Sequence, residues 1–240
     1  RDFEKATLAK TGKLLPPYPA SREQAAIGGM IANNAGGELT LRFGKMDRFV
    51  RELDVVLSDG SLATLRPIGA QELATKESLQ NLEGKIYRDI RTLIEKNAEE
   101  IASARPSVSK NSSGYALWSV WDRTRDIFDL TKLITGSQGT LALITSAKLG
   151  VEKQESHRGM LVVFLSDLNV LPEIVRRVRA FEPESFESYD DNTFKLATRF
   201  AGDFLRQMGF IDSVRLGFAF LPEVWMTVSG GIPKLVLLAE

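Results

Sequence analysis

Ala26-Ile27-Gly28-Gly29-Met30-Ile31-Ala32-Asn33-Asn34-Ala35-Gly36-Gly37 is the stretch from which the rest of the chain can be read. Two Gly-Gly pairs bracket a segment that is small, compact or amide-bearing from Ile31 to Ala35, a composition that an ordinary amphipathic helix does not use. Glycine removes the Cβ that keeps a ligand away from main-chain N–H groups, and it tolerates the turns that cradle anions. The neighbouring amides add donors and acceptors. Two readings stand side by side: close approach of a ligand, or close packing of two elements of the chain itself. At Gly36 the first reading predicts that a branched side chain would be excluded by the ligand.

Upstream, three prolines in Pro16-Pro17-Tyr18-Pro19 force an extended path straight into this stretch. Ser21 stands between the prolines and the glycines, as a turn or cap residue or as a ligand contact. Before them, Phe3 to Lys10 has helical spacing and ends at Gly12, a C-cap residue. Downstream, Val50, Leu53, Val55 and Leu57 fit a strand, Asp59-Gly60 a hairpin turn, and Leu62 to Leu65 the return strand. Gly84 to Arg105 reads as one amphipathic helix. The polar run Lys110-Asn111-Ser112-Ser113-Gly114-Tyr115, followed by aromatics, reads as a loop, either generic surface or placed beside a site. Phe128 to Ile134 reads as a short helix. Gly136-Ser137-Gln138-Gly139-Thr140 is a second small-residue turn, before the strand Leu141 to Leu149. Two glycine-bearing turns that each join regular elements suggest two walls of one ligand site.

Beyond Val151 the pattern changes to an apolar strand (Met160 to Leu165), a helix (Leu171 to Phe181) and another strand (Ser185 to Tyr189), a βαβ-like order. Residues 190–225 suggest short helices and loops without a definite placement. The closing run Leu235-Val236-Leu237-Leu238-Ala239-Glu240 reads as a strand, and with a first residue that is not Met it leads us to expect a piece of a longer protein.

Composition narrows the chemistry. With 240 residues, 43% of them hydrophobic, the chain can bury a sizeable core. Thirty-one basic residues balance thirty-one acidic ones, which argues against nucleic acid or an anionic membrane as the partner. Zero cysteines exclude disulfides, thiolate nucleophiles and iron–sulfur ligation within these residues, and one histidine leaves little room for a metal cluster. No metal is expected. No apolar run approaches the roughly 18 to 20 residues of a spanning helix, and the first residues do not resemble a signal peptide, so the expected compartment is the cytoplasm. Gly28-Gly29 lacks the spacing and the preceding strand of a dinucleotide fingerprint. Gly136-Ser137-Gln138-Gly139 lacks that of a nucleophile elbow. His157 reads as a surface residue, and Asp190-Asp191 as a helix start rather than a catalytic pair.

Taken together in this order, Pro16-Pro17-x-Pro19-x-Ser21, the glycine stretch, Arg42-Phe43-Gly44, Val55-Val56-Leu57-x-Asp59-Gly60, Lys110 to Tyr115 and Gly136 to Leu141 resemble the FAD-linked oxidase family of vanillyl-alcohol-oxidase (PCMH) type. The glycolate oxidase subunit and D-lactate dehydrogenase proteins are its members nearest in style. The resemblance runs from about residue 3 to 151. It implies an α+β fold: the second subdomain of a PCMH-type FAD-binding domain over residues 1–152, its N-terminal subdomain missing, followed by the truncated start of a ferredoxin-like α+β cap domain over residues 153–240. It implies FAD as cofactor. Pro19, Ser21, Ala26, Ile27, Gly28 and Gly29 would line the pyrophosphate and the flavin edge, while Asn33, Asn34, Ala35, Gly36 and Gly37 would run beside the ring, with Gly44 following. Gly136, Ser137, Gln138, Gly139, Thr140, Leu141 and Ile144 would flank the adenine side. Lys110, Asn111 and Tyr115 are the candidates for the substrate side.

The sequence departs from the family pattern at three points. Ala26 stands where a Thr is usual, Gln138 where Glu is commoner, and Ala142 where Gly is usual, which would narrow the backbone approach. The implied function is FAD-dependent oxidation of a 2-hydroxy acid such as D-lactate or glycolate, with a downstream electron acceptor. An oxygen-using oxidase of alcohols or sugars on the same scaffold, or a flavin-binding subunit without turnover, are the alternatives.

Overall fold

The computed structural model describes residues 2–108, 110–153, 157–200, 202 and 232–240. It divides into two compact units, residues 1–156 and 157–240.

The first unit opens with α1 (Asp2–Thr11), closed as expected at Gly12, whose φ is +65° and whose N–H donates to the Leu8 carbonyl. There follow β1 (Lys13–Leu14), α2 (Ile27–Ala32), α3 (Thr40–Phe43), β2 (Val50–Val56), β3 (Leu62–Leu65), β4 (Ile68–Gly69), α4 (Ala70–Ser78), α5 (Leu82–Lys96) and α6 (Ala98–Ser103). Then come β5 (Trp121–Asp122), β6 (Ile127–Phe128), α7 (Thr131–Ile134), β7 (Leu143–Leu149) and β8 (Glu152–Lys153). The main sheet has the order β3-β2-β7, antiparallel throughout.

The β2–β3 hairpin turns where the sequence places it. Asp59 accepts from both the N–H and the hydroxyl of Ser61, and Gly60 takes φ +84°. Val50 and Leu53 are out of step with strand alternation, yet both are buried, because the register shifts between Val50 and Glu52. A bulge of this kind re-aims one side chain by a residue. Leu53 and Val55, fully buried on β2, meet Met30 and Ile31 of α2 and Leu133 and Ile134 of α7 in one apolar cluster.

Two expectations are corrected. The helix read over Gly84 to Arg105 is two helices, broken at Asn97, whose side-chain amide donates to the Leu93 carbonyl and satisfies the end of α5 in place of a further turn. The segment read as a helix from Phe128 begins instead as β6, paired with β4 and β5 in a second small sheet. Helix starts only at Thr131, because the buried Asp129 accepts from both the N–H and the hydroxyl of that residue.

The second unit contains β9 (Leu161–Leu165), α8 (Leu171–Arg179), β10 (Phe186–Asp190), α9 (Asp191–Arg199) and β11 (Leu235–Ala239). β11 lies between β10 and β9 and is antiparallel to both, so β9 and β10 run parallel with a strand inserted between them. That is the split βαβ arrangement of ferredoxin-like folds. Asp190 accepts from the N–H and hydroxyl of Thr193, the helix-start role expected for it. The part of 190–225 from residue 203 onward lies outside the described residues, as does residue 201.

Candidate cofactor site

Helix α2 is six residues long and is preceded by Ala26 at the N-cap, which is extended and makes no side-chain cap. A hydroxyl there would have bonded one of the first helical N–H groups; alanine leaves them to other acceptors. Among the described residues, no atom lies within 4 Å of a Cβ built on Gly28 or Gly29. Among the described residues, the helix N-terminus is therefore open both sterically and in its hydrogen bonding.

The other end of α2 is closed by the chain. Asn34 takes φ +46° and donates its N–H to the Ile31 carbonyl, while Ala35 N–H donates to Met30. These are the paired bonds of a Schellman C-cap, with asparagine in the left-handed position that glycine more often holds. The side-chain oxygen of Asn34 then accepts from Asp47 N–H, and the Ala35 carbonyl from Met46 N–H.

The second glycine-bearing turn docks on this same helix end. Gly136 N–H donates to the Ile31 carbonyl at 3.0 Å and Gln138 N–H to the Ala32 carbonyl at 2.8 Å. Carbonyls that the helix cannot satisfy internally are thus met by the turn. Gly136, Gln138 and Gly139 all have positive φ, at +91°, +54° and +75°. A Cβ on Gly136 would lie 3.3 Å from the Asn34 Cβ, so the two turns are in contact.

Gly36 and Gly37 answer to the chain itself. A Cβ on Gly37 would fall 2.0 Å from the Tyr18 carbonyl oxygen and 3.4 Å from the Pro19 Cα. One on Gly36 would fall 2.5 Å from the Thr40 hydroxyl and 3.3 Å from the Lys45 Cγ. The expectation that a ligand leaves no space at Gly36 is corrected: Thr40 and Lys45 fill it. Thr40 also accepts from the Gly37 N–H at 2.7 Å. Tyr18 braces the proline segment by donating its hydroxyl to Glu38 at 2.5 Å. Burial raises that hydroxyl well above its usual range, and the hydrogen bond to Glu38 raises it further.

The loop 110–115 closes over the two turns at two points. Lys45 donates its ammonium to the Asn111 carbonyl. Tyr115 and Thr140 hydroxyls lie 2.8 Å apart; since Thr140 already donates to the Ser137 carbonyl, Tyr115 is the donor between them. Burial lowers the Lys45 ammonium below its usual value, Asp47 opposes this, and Lys110 adds to it.

The remaining predicted residues sort by exposure. Ser21, Ala26, Gly29, Asn33, Gln138, Gly139, Thr140 and Leu141 are exposed, and Ile27, Gly28 and Pro19 half-buried. Ser21 uses its carbonyl to accept from Gln24 and Ala25, the turn role. Ser137 is buried as a whole residue, and Ile144 packs on the core. Ala142 is buried too; its methyl joins the core and does not narrow the open face as expected. Gly44 caps α3 at φ +80° under the Arg48 side chain, a role in the fold. Thr40 and Lys45 were not singled out from sequence. The signal for Thr40 was its place three residues after Gly37, where a hydroxyl can reach back to the turn's N–H.

Residues 5–66 match the family model described as an FAD binding domain. Beyond it, the chain is 30% identical over 188 residues to the D-2-hydroxyglutarate dehydrogenase of Pantoea ananatis, covering 78% of this chain and 17% of that protein. It is 27% identical over 193 residues to the D-lactate dehydrogenase of Archaeoglobus fulgidus, covering 80% of this chain and 32% of that one. A solved structure of alkyldihydroxyacetonephosphate synthase overlays on 99% of this chain and 32% of its own, with a TM-score of 0.57 at 16% identity, a likeness of fold. The chain spans under a third of the length of these relatives and neighbours.

The residues present fit FAD. Its pyrophosphate seeks unpaired N–H groups, which the start of α2 offers at glycines with open space beside them. Its adenine side needs a surface that can be approached closely, which the exposed residues Gln138, Gly139 and Thr140 supply. Among the described residues no group of His, Cys, Asp or Glu could hold a metal ion, and no helix is long and apolar enough to cross a membrane.

Proposed function

We propose that this chain supplies one wall of the FAD site of a cytoplasmic oxidoreductase that oxidises a 2-hydroxy acid, such as D-lactate, D-2-hydroxyglutarate or glycolate. In this reading residues 1–152 are the second subdomain of the flavin-binding domain and residues 153–240 the start of the substrate-side cap. The docking of the turn 136–140 on the end of α2 carries the reading, because it joins the two glycine-bearing stretches into a single surface. FAD held on this face would supply the acceptor for the C2 hydride of the acid, the hydroxyl proton passing to a base. The chain's own share is positioning: α2 directs N–H groups at the diphosphate, the positive-φ turn brings main chain against the cofactor, and Tyr115 and Lys45 hold the loop 110–115 beside it. The named activities of the two relatives, both acting on D-2-hydroxy acids, support the choice of substrate class.

The test is anaerobic mixing of the full-length purified flavoprotein with D-lactate, L-lactate, D-2-hydroxyglutarate and glycolate. At least one acid is expected to bleach the visible flavin absorbance within the mixing experiment. Bleaching by dithionite but by none of the acids would overturn the substrate class.

A further inference from the structure

A cleft of about 390 Å³ opens on the first unit between the end of α5, helix α6 and the segment that carries β5. None of its lining residues belongs to the two glycine-bearing turns or to the loop 110–115. Its size falls among small-molecule sites, which run from roughly 300 to 1,000 Å³ and are mostly apolar with a few polar groups. Ile94, Ile101 and Leu117 give it an apolar lining tied to the core. Trp118 and Trp121, two of the three tryptophans in the chain, also line it and are only half-buried.

Trp121 is held from several sides. Its ring meets Phe128 in a T-shaped arrangement with centroids 5.9 Å apart, and its indole N–H donates to Asp126 at 3.4 Å. The guanidiniums of Arg91 and Arg123 lie 5.4 and 4.8 Å from its centroid. These two arginines differ in what else they hold. Arg91 pairs with Glu77 and Glu95, whereas among the described residues no carboxylate lies within ion-pair distance of Arg123, nor of Arg105, the other arginine of the cleft. Asp122, next to Trp121, is engaged by the N–H groups of Thr124 and Arg125 and by the Arg125 guanidinium. A solvated surface arginine needs no partner. Arg105 and Arg123, however, border one apolar opening, and a guanidinium is weakly hydrated and presents a flat fork that fits a carboxylate.

We propose that this cleft binds a small aromatic carboxylate. The ring lies against the indoles and the aliphatic lining, and the carboxylate, in the plane of its ring, meets Arg105 and Arg123. A neutral hydrocarbon would leave the guanidiniums unused, and an inorganic anion would leave the indoles uncovered.

The probe is 2-naphthoate, titrated by calorimetry into the full-length protein with its FAD bound, so that the cofactor's own site is filled. One equivalent per chain is expected to bind, and the uncharged 2-naphthalenemethanol to bind about tenfold more weakly. Ala102 lines the cleft from the exposed side of α6, so Ala102→Phe fills the space without removing any packing and is expected to weaken naphthoate at least tenfold. Arg105→Gln combined with Arg123→Gln alters two exposed side chains; it is expected to weaken naphthoate about tenfold and to leave the alcohol unchanged. Absence of naphthoate binding to the unaltered protein, or unchanged affinity in the double arginine variant, overturns the site, as does unchanged affinity in an Ala102→Phe protein that retains its flavin. Equal affinity of acid and alcohol for the unaltered protein overturns the choice of a carboxylate.

Discussion

Replacing Gly37 by alanine is expected to unfold or severely destabilise the glycine turn, by about 3 kcal/mol or more. The new methyl would sit 2.0 Å from the Tyr18 carbonyl oxygen, a main-chain atom that cannot swing aside as a side-chain tip can. Tyr18 is itself held by its bond to Glu38, and the buried Leu14, Leu15, Pro16 and Pro17 anchor the segment that carries it. Relief would have to come from Gly37, whose N–H is committed to Thr40. Thermal or urea unfolding of the variant measures the effect. A midpoint equal to that of the parent would mean that the proline segment does not press on the turn.

Gly29→Ala is expected to act in the opposite direction on stability while lowering FAD affinity. The position is helical, exposed and open, so alanine adds no clash and removes the backbone entropy that glycine carries, a gain of about 0.5 kcal/mol. The same methyl stands on the surface assigned to the cofactor, where holding the cofactor away from the N–H groups of α2 costs on the order of 1.4 kcal/mol, or tenfold in Kd. Gly29→Val should enlarge the binding defect. Unfolding midpoints of the apoprotein and FAD titrations separate the two quantities. Unchanged FAD affinity in both variants would remove the start of α2 from the site.

These two glycines show what the sequence could and could not reveal. A Gly-Gly pair says that something comes close, but a ligand and a neighbouring carbonyl leave the same trace. Gly28-Gly29 faces open space and Gly36-Gly37 faces Tyr18, Thr40 and Lys45, a distinction that depends on contacts across up to twenty residues of chain. The long elements were legible because their periodicity is strong: the β2–β3 hairpin announces its turn through Asp59-Gly60, and the outer face of α5 is charged. Short elements were not. A two-residue strand such as Ile127–Phe128 has no period, and only the side chain of Asp129 tells the chain where helix can start. The phase slip at Val50 is hidden for a similar reason, since a bulge is a property of two paired strands.

Of the candidate site, the two turns could be picked out and their meeting anticipated, because small residues at both joints suggested a common purpose. How they meet could not be foreseen. It depends on the carbonyls at the end of α2: Gln138 takes up that of Ala32, and Gly136 shares that of Ile31 with Asn34. The loop 110–115 was a candidate by resemblance, and the structure ties it to the turns through Tyr115 and Lys45. Lys45 went unnoticed because a single lysine after Gly44 has the appearance of any surface cation until its neighbours are known.

The central claim is that α2 with its following turn and the turn 136–140 form one face against FAD. Hydrogen–deuterium exchange of the full-length protein with and without FAD tests it most directly. The account predicts slowed exchange on FAD addition in both segments, residues 26–37 and 136–141, beyond any change in the hairpin of β2 and β3. Stoichiometric FAD binding with both segments exchanging as they do in the apoprotein would contradict it.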